Sequence, residues 1–293
     1  MIYQADKWKD YACIDAGDGE KLEQWKGVVL RRPDPQAIWA RDTSIAQWEN
    51  PDAIYHRSAK GGGFWDYRRK LPESWTINYG SLTFKVSPTG FKHTGIFPEQ
   101  AVNWDWMSSL IAAHKDEEIR VLNLFAYTGC ATMAAAAAGA AETVHVDAAK
   151  GMVQWAKENM ELSHLTDRKI RFIVDDCLKF VEREKRRGRT YHGILMDPPS
   201  YGRGPNGEMW KFEKEITGLI DAALGILDEH ALFFLINSYT AGMSHIVLNN
   251  MLAKTVLAAH PEGRVETGEI AIPLKSGSLL LPCGIYGRWE RKE

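Results

Sequence analysis

The stretch Arg120-Val-Leu-Asn-Leu-Phe-Ala-Tyr-Thr-Gly129 decides the fold of this chain. Its first half is mainly apolar, as in a strand that is buried on both faces of a parallel sheet. Its second half ends in a glycine, and an alanine-rich segment, 131–139, follows directly. Because glycine permits a tight turn ahead of a helix, the stretch predicts a strand, a turn and a helix in succession.

The same alternation fills the chain from about residue 100 onward. We predict helices at 101–114, 131–139, 150–163, 178–187, 211–227 and 243–260, and strands at 121–125, 143–146, 170–174, 193–196, 231–237, 266–273 and 280–288. Strands joined by crossover helices form a parallel sheet that is covered on both faces. A Ser-Gly-Ser turn between the last two strands predicts an antiparallel hairpin. The predicted fold class is therefore α/β, with a Rossmann-like, doubly wound sheet that is mostly parallel and ends in an antiparallel hairpin.

Residues 1–90 have a different character. Short segments rich in β-branched and aromatic residues, such as 28–30, 75–79 and 82–86, alternate with turn signals. Asn78-Tyr-Gly-Ser81 is typical of a hairpin turn between the last two of these segments. We therefore predict two domains: a small β-rich domain over 1–90, with a role in substrate recognition, and the doubly wound domain over 91–293.

The overall composition is that of an ordinary globular protein. The net charge of −2 and the pI near 6.5 give no general field that attracts phosphate, so any basic contacts to nucleic acid have to be local. The four cysteines lie far apart and the nine histidines show no ligand spacing, so we expect neither disulfides nor a metal. The N-terminus has no signal-peptide core, and no segment approaches the roughly 20 apolar residues of a membrane span. We expect a cytoplasmic protein with no membrane partner.

Acidic residues follow the next two predicted strands. Asp147 lies 18 positions after Gly129, a spacing at which nucleotide-binding units place the carboxylate that holds ribose hydroxyls. The alternative is that Asp147 merely caps the following helix. Asp176 stands where a carboxylate can meet an adenine amino group. Asp175 competes for that role, and one of the two is expected to cap the next helix.

A third motif, Asp197-Pro-Pro-Ser-Tyr201, follows the strand 193–196. Two prolines fix φ and restrict the preceding residue, so this corner is rigid. A rigid corner can aim Asp197 and backbone carbonyls at an acceptor nitrogen, and Tyr201 offers a ring on which a base can stack. The alternative is a structural turn. The residues that we predict to form the catalytic part are Asp197, Pro198, Pro199, Ser200 and Tyr201.

The three motifs describe one site, because strand ends of a doubly wound sheet meet at one edge. The helix after Gly129 begins with free N–H groups that favour a carboxylate, such as that of a methionine moiety. The turn lacks a complete Gly-x-Gly-x-x-Gly, which disfavours a dinucleotide. We predict that the cofactor is S-adenosylmethionine and that the reaction is methyl transfer, with S-adenosylhomocysteine as the product.

The chain resembles the class I S-adenosylmethionine-dependent methyltransferases, and among them the bacterial large-subunit (23S) ribosomal RNA type (I and K type), which includes enzymes acting on cytosine at its 5-position and on guanine at its 7-position. The matching residues, within about 70–290, are Asn123-Leu-Phe-Ala-Tyr-Thr-Gly129, Val146-Asp147-Ala148 with Trp155-Ala-Lys-Glu-Asn159, Asp176 before Phe180, Asp197-Pro-Pro-Ser-Tyr201, and the lead-in His93-Thr-Gly-Ile-Phe-Pro-Glu-Gln100. The resemblance implies a transferase of class EC 2.1.1, a role in rRNA processing, and RNA, ribosomal above all, as the partner. With the residues above it, it predicts cofactor contacts at Gln100, Phe125, Ala126, Tyr127, Thr128, Gly129, Asp147, Ala148, Asp176 and Cys177.

The chain also departs from that family. Ser238 stands where the enzymes acting on cytosine carry a nucleophilic cysteine, and serine is a poor substitute for a thiolate. Covalent cytosine methylation is therefore disfavoured, and we expect direct displacement at a base nitrogen. The family's RNA-binding module is not evident in the first 70 residues, where no clear basic stripe is found. The main basic clusters are 68–70 and 185–189.

Three hypotheses stay open. The first is direct methylation of a base in RNA. The second keeps the cofactor and takes a small molecule or a protein as acceptor, which the near-neutral net charge favours. The third is a catalytically inactive module that binds RNA or the cofactor, since a fold does not guarantee activity. The base, the methylated atom and the oligomeric state are left open, a dimer being one possibility.

Overall fold

A computed structural model describes residues 1–58, 62–90, 92–203 and 209–292. The chain divides into two compact units. The α/β unit consists of Met1–Tyr3, Val102–Ile270 and Gly284–Glu293, and the β unit of Gln4–Ala101 and Ala271–Cys283. The tip of the C-terminal hairpin thus belongs to the β unit. The division into domains at residue 90 stays a prediction.

The structure contains the following regular elements. The strands are β1 (Ile2–Gln4), β2 (Tyr11–Gly17), β3 (Glu20–Trp25), β4 (Val28–Pro33), β5 (Ala53–Arg57), β6 (Gly63–Tyr67), β7 (Trp75–Tyr79), β8 (Leu82–Val86), β9 (Arg120–Leu124), β10 (Glu142–Asp147), β11 (Ile170–Val174), β12 (Gly193–Met196), β13 (Tyr201–Arg203), β14 (Met209–Lys211), β15 (Phe233–Ser238), β16 (Gly263–Pro273) and β17 (Leu280–Arg291). The helices are α1 (Ala101–Ala113), α2 (Cys130–Ala137), α3 (Lys150–Leu162), α4 (Cys177–Arg186), α5 (Phe212–Leu224), α6 (His245–Lys254) and α7 (Val256–Ala259).

The main sheet has the strand order β1-β16-β17-β15-β12-β9-β10-β11. β15, β12, β9, β10 and β11 are parallel, and β17 pairs antiparallel with β15. From β9 the chain proceeds outward through β10 to β11, then returns to place β12 on the other side of β9. The order therefore reverses between β9 and β12, and such a switch point is where doubly wound sheets bind ligands. The predicted fold class is confirmed.

The two faces of this sheet differ in polarity because strand residues alternate between them. One face carries Leu122, Leu124, Val144 and Val146, which belong to the core together with residues of α4, α5 and α6. On the other face, the strand register places one residue of each neighbouring strand in a row with Asn123. Three residues of this row are polar and buried. They are Asn123 of β9, His145 of β10 and Arg288 of β17.

Two predicted helices differ from the structure. The helix expected at 211–227 is shorter: Lys211 belongs to β14, which forms a small antiparallel hairpin with β13, and the helix ends at Leu224, ahead of Gly225. The helix expected at 243–260 breaks at Thr255, whose φ of −114° and ψ of −83° are not helical. Its hydroxyl donates to the carbonyl of Met251, a bond by which threonine competes with the helix backbone.

The β unit contains a five-stranded sheet of order β2-β3-β4-β5-β6 and the hairpin of β7 and β8. The predicted turn between the last two strands is present, and its Gly80 has a φ of 56°. A buried ion pair lies in the middle of this unit: Nε and Nη2 of Arg32 donate to the carboxylate of Glu23 over 2.6 and 2.8 Å. Tyr11 donates its hydroxyl to the same carboxylate over 2.8 Å.

Candidate functional site

The candidate site lies in the α/β unit, where the carboxyl ends of β9, β10 and β12 meet. The amide of Asp197, just after β12, donates to the carbonyl of Leu124 at the end of β9 over 3.4 Å. The amide of Ala126 donates to the carbonyl of Val146 near the end of β10 over 3.0 Å. The Asp-Pro-Pro corner and the Thr-Gly turn therefore lie at the same edge of the sheet, as the predicted site requires.

The turn after β9 has an unusual backbone. Phe125, Tyr127 and Gly129 have φ values of 54°, 51° and 81°, in the left-handed region that non-glycine residues rarely adopt. A Cβ on Gly129 would lie 2.9 Å from the Cβ of Ala156 in α3. Glycine is required there by both backbone conformation and close approach.

Side chains of α3 and α4 bond this turn, and a contact between α2 and β10 lies beneath it. Asn159 of α3 donates its Nδ2 to the carbonyl of Thr128 over 2.8 Å. The amide of Phe125 donates to the sulfur of Cys177 over 3.3 Å. Beneath the turn, the buried Thr132 hydroxyl lies 3.0 Å from Nδ1 of His145, and burial lowers the pKa of that histidine to about 3. Since strained backbone persists only where its surroundings fix it, the turn is set in place by these contacts.

Asp147 lies at the end of β10 and is partly buried. Its Oδ2 accepts from the amide of Tyr127 over 2.9 Å, and its Oδ1 accepts from that of Ala149 over 2.8 Å. Burial raises the pKa of this carboxyl, and the two backbone amides act in the opposite direction. Each oxygen keeps acceptor capacity beyond its one amide, so the pair fits the two hydroxyls of a ribose. Ala148 beside it is exposed.

The acids after β11 have separate contacts. Asp176 caps α4 through Oδ1, which accepts from the amide of Lys179 over 3.0 Å. Asp175 pairs with Arg183 over 2.6 Å. The capping role that the sequence left between the two acids thus belongs to Asp176. Its predicted contact with adenine stays a prediction, as does that of the buried Cys177 next to it.

The corner Asp197–Tyr201 runs from β12 into β13. Asp197 and Ser200 are partly buried, Pro198 is buried and Pro199 is exposed. Tyr201 keeps 51% of its surface exposed, so its ring is accessible for stacking.

Trp210 of β14 joins the corner to the turn. Its indole N–H donates to the carbonyl of Pro199 over 2.6 Å, and its ring centroid lies 5.2 Å from that of Phe125. The sequence analysis missed Trp210, because it placed position 210 in the connection to a helix rather than in a hairpin that folds back. Asn159 was noted only as part of a motif, and nothing in the sequence pairs it with Thr128.

Gln100 is the last residue of a short 3-10 helix, Pro98–Gln100, in the β unit. Its side chain is buried. The predicted contact of Gln100 with the cofactor stays a prediction.

The thiols of all four cysteines are protonated at neutral pH. Burial raises the pKa of Cys130 to about 12 and raises those of Cys13, Cys177 and Cys283 as well. Ser238, which stands where the enzymes acting on cytosine carry a cysteine, lies at the end of β15 and is buried. Its hydroxyl oxygen accepts from the amide of Thr240 over 3.2 Å. Thus none of the cysteines offers a thiolate for attack on a ring.

Within the described residues, no three His, Cys, Asp or Glu side chains are grouped in a way that could hold a metal ion. No helix in the same part of the chain has the length and apolar character needed to cross a membrane.

Comparison with protein families gives a match that includes the whole candidate site. A family model described as S-adenosylmethionine-dependent methyltransferase matches residues 54–223. These residues include every predicted site position, from Gln100 to Tyr201.

Comparison with individual proteins agrees. The crystal structure of an S-adenosylmethionine-dependent methyltransferase from Agrobacterium tumefaciens is 37% identical, with a TM-score of 0.94, and covers 100% of this chain and 94% of that one. The Neisseria meningitidis serogroup B protein named ribosomal RNA large subunit methyltransferase K is 26% identical over 78% of this chain and 65% of its own length. The Shewanella oneidensis protein named ribosomal RNA large subunit methyltransferase K/L is 34% identical over 48% of this chain. The chain spans only 18% to 28% of the length of the K/L relatives that it matches.

Proposed function

Since the chain belongs to the S-adenosylmethionine-dependent methyltransferase family, we propose that it transfers the methyl group of this cofactor to a base of RNA, with ribosomal RNA as the substrate. The names of the curated relatives support the choice of RNA. The observation that carries the proposal is the bond from the Asp197 amide to the Leu124 carbonyl, which fixes the Asp-Pro-Pro corner beside the turn after β9.

The proposed cofactor contacts follow from the polarity of the strand ends. The two oxygens of Asp147 hold the ribose hydroxyls, and Asp176 meets the adenine amino group. The turn Phe125–Gly129 and the first N–H groups of α2 hold the methionine carboxylate, because a helix N-terminus favours negative charge. When bound, the cofactor supplies a methyl carbon activated by its sulfonium sulfur.

The proposed acceptor contacts lie at the corner. Asp197 and a backbone carbonyl of the corner accept hydrogen bonds from the nitrogen that receives the methyl group. These bonds turn the lone pair of that nitrogen toward the methyl carbon. The acceptor base stacks on Tyr201. As the new N–C bond forms, the C–S bond breaks and its electron pair stays on sulfur. Asp197 holds the proton that the nitrogen releases until solvent takes it.

The protonated thiols favour this direct route over a covalent one. Attack on a pyrimidine carbon needs an available thiolate, and burial raises the pKa of Cys130 and Cys177, the two cysteines nearest to the site in sequence. Ser238 offers only a hydroxyl, and the residue is buried. Direct displacement requires no nucleophile from the protein.

One surface of the β unit has the composition expected for contact with single-stranded RNA. Phe64 of β6 is 62% exposed, and its ring centroid lies 5.2 Å from that of His56, its partner on β5. The exposed cation Arg68 follows β6 on the side of the strand that carries Phe64 and Asp66, and it pairs with Asp66 over 3.1 Å. Aromatic rings that stack bases beside cations that contact phosphates are typical of such surfaces. We name His56, Phe64 and Arg68 the aromatic-basic surface.

The test is transfer of labelled methyl groups into an extract from a strain that lacks the gene. We expect label in ribosomal RNA with the natural protein and about 100-fold less, or lower still, with Asp197→Ala. Label in the protein or small-molecule fraction would replace RNA by another acceptor. Absence of label in every fraction would leave a module that binds without catalysis.

A further inference from the structure

Arg288 of β17 is a buried cation in the α/β unit. The residue is only 3% exposed, and its guanidinium carbon lies 4.7, 4.7 and 4.6 Å from the ring centroids of Tyr3, Trp106 and Tyr286. Its hydrogen bonds go to the backbone carbonyl of Val102 and to one side-chain amide, and among the residues that the structure describes none goes to a carboxylate. Burial of a charge is costly unless specific contacts offset it.

The amide that Arg288 contacts belongs to Asn103 of α1. Nε and Nη2 of Arg288 donate to the same Asn103 Oδ1 over 3.0 and 2.6 Å. Nδ2 of Asn103 in turn lies 2.9 Å from Oδ1 of Asn237 at the end of β15. Both asparagines are buried. A guanidinium can only donate, so the atom of Asn103 that faces it has to be the oxygen.

The guanidinium of Arg288, which only donates hydrogen bonds, sets the orientation of both amides. With Oδ1 of Asn103 turned to Arg288, its NH2 group faces Asn237 and the facing atom of Asn237 is again an oxygen. The NH2 group of Asn237 is therefore held away from Asn103. We name Arg288, Asn103 and Asn237 the amide relay.

The relay ends beside the acceptor corner. In the register of β12 and β15, Met196 pairs with Ile236, so Asp197 and Asn237 are the next positions along neighbouring parallel strands. Three residues beyond Asn237, the hydroxyl of Thr240 lies 3.2 Å from that of Ser200 in the corner. The end of β15 thus runs beside the start of the corner, and the segment after it contacts the corner at Ser200.

We propose that Arg288 is a positioning residue for methyl transfer, which through Asn103 fixes the orientation of the Asn237 amide beside the Asp-Pro-Pro corner. The effect on the reaction rests on the proposed function, because it concerns the acceptor of that same site. The relay gives this amide one orientation before the acceptor base arrives, so the strand end beside the corner has a fixed polarity rather than an amide that can turn over.

The decisive variant is Asn103→Asp, which keeps the size of the side chain. A carboxylate accepts hydrogen bonds from Arg288 at least as well as the amide does. Arg288 therefore keeps its partner, and we expect the variant to fold. It cannot donate to Asn237, whose amide then turns over to offer its NH2 to the new carboxylate. We expect kcat to fall by about 10- to 100-fold while the Kd for S-adenosylmethionine is unchanged. Asn237→Asp keeps the acceptor for Asn103 but loses the NH2 group, and it should lose kcat similarly.

The matched control is Asn78→Asp, which makes the same chemical change on the exposed hairpin of β7 and β8 and should leave kcat unchanged. A second measurement is independent of methyl transfer: the side-chain amide resonances of Asn237, assigned by NMR, should shift in Asn103→Asp. Natural kcat in Asn103→Asp would overturn the proposal, and so would unshifted Asn237 resonances. If the natural protein methylates no RNA, the proposed function fails, and the NMR result alone decides the relay.

Discussion

The amide of Tyr127 donates to Oδ2 of Asp147 over 2.9 Å, and this bond ties the turn after β9 to the end of β10. The same carboxylate therefore holds the protein's own turn and, in the proposed function, the ribose of the cofactor. Loss of the carboxylate should act twice, by removing ribose contacts and by releasing the turn that faces the methionine moiety.

We expect Asp147→Ala to weaken binding of S-adenosylmethionine by about 10- to 100-fold, because a hydrogen bond to a charged group contributes roughly 1.5–3 kcal/mol. Isothermal calorimetry on the purified chain measures this Kd. Asp147→Asn serves as the matched variant: one of its two atoms can still accept, so its Kd should fall between the others. Normal affinity of Asp147→Ala would remove this residue from the cofactor site.

Asp197→Ala should separate catalysis from cofactor binding. Asp197 contacts the acceptor in the proposed mechanism and follows a rigid corner, so we expect the Kd for the cofactor to stay unchanged. The turnover number should fall by about 100-fold or more, as for loss of a positioned acid–base group. Single-turnover assays with labelled cofactor and RNA measure the rate. A weakened cofactor Kd with normal turnover at saturation would contradict the assignment.

Gly129→Ala tests the close approach between the turn and α3. A Cβ at this position meets the Cβ of Ala156 at 2.9 Å and also has to adopt a φ of 81°. Gly139 has a φ of 106°, and its added Cβ meets nothing within 4 Å, so Gly139→Ala isolates the backbone term. We expect unfolding free energies lower by roughly 2–3 kcal/mol for Gly129→Ala and roughly 1 kcal/mol for Gly139→Ala. If urea titrations show equal losses of unfolding free energy for the two variants, α3 moves aside for the new Cβ at no energetic cost.

Phe64→Ala tests the aromatic-basic surface. Loss of one stacking ring should weaken RNA binding by roughly 5- to 100-fold, with little change in the slope of affinity against salt, because no cation is removed. Filter binding at several salt concentrations gives both quantities. Leu279→Ala is the control, since Leu279 is also an exposed apolar residue of the β unit, at 54%. If both variants bind RNA as the natural protein does, RNA docks elsewhere.

Glu23→Gln tests the buried ion pair of the β unit. Burial alone would raise the pKa of Glu23, but Arg32 and Lys21 outweigh it and hold the pKa at about 2. Because the folded pKa lies below the ordinary 4.5, the pair stabilises the protein above that pH and is lost as pH falls toward 2. The natural protein should therefore lose stability more steeply between pH 4.5 and 2 than Glu23→Gln does.

At neutral pH, Glu23→Gln should be less stable by about 3 kcal/mol or more, since it leaves Arg32 buried without its carboxylate. Thermal unfolding followed by circular dichroism measures both effects. Glu73→Gln, at an exposed position of the same unit, should behave like the natural protein. Parallel pH profiles for the natural protein and Glu23→Gln would show that the pair does not govern acid stability.

The sequence predicts those parts of the molecule that depend on local patterns. An apolar run ending in Thr128 and Gly129 indicates a buried strand and a turn, and two prolines after Asp197 indicate a rigid corner. Both lie where the alternation of strands and helices places them. The cofactor inferred from them is the one used by the family to which the chain belongs, so that prediction is confirmed.

The parts that the sequence does not predict are contacts between distant segments. Asn159 bonds Thr128 across 31 positions, and Arg288 bonds Asn103 across 185. No periodicity or spacing connects such pairs, since each depends on how helices pack on the sheet. Trp210 was missed for the same reason, because a short hairpin folds it back toward Phe125.

The left-handed conformation of Phe125, Tyr127 and Gly129 has a consequence for the catalytic cycle. Protein side chains and backbone groups hold this segment, so we expect its shape to be set before the cofactor binds. Exchange of spent cofactor for fresh cofactor then requires no refolding of the loop between rounds. A chain built in this way can begin each round from the same geometry in which it finished the last.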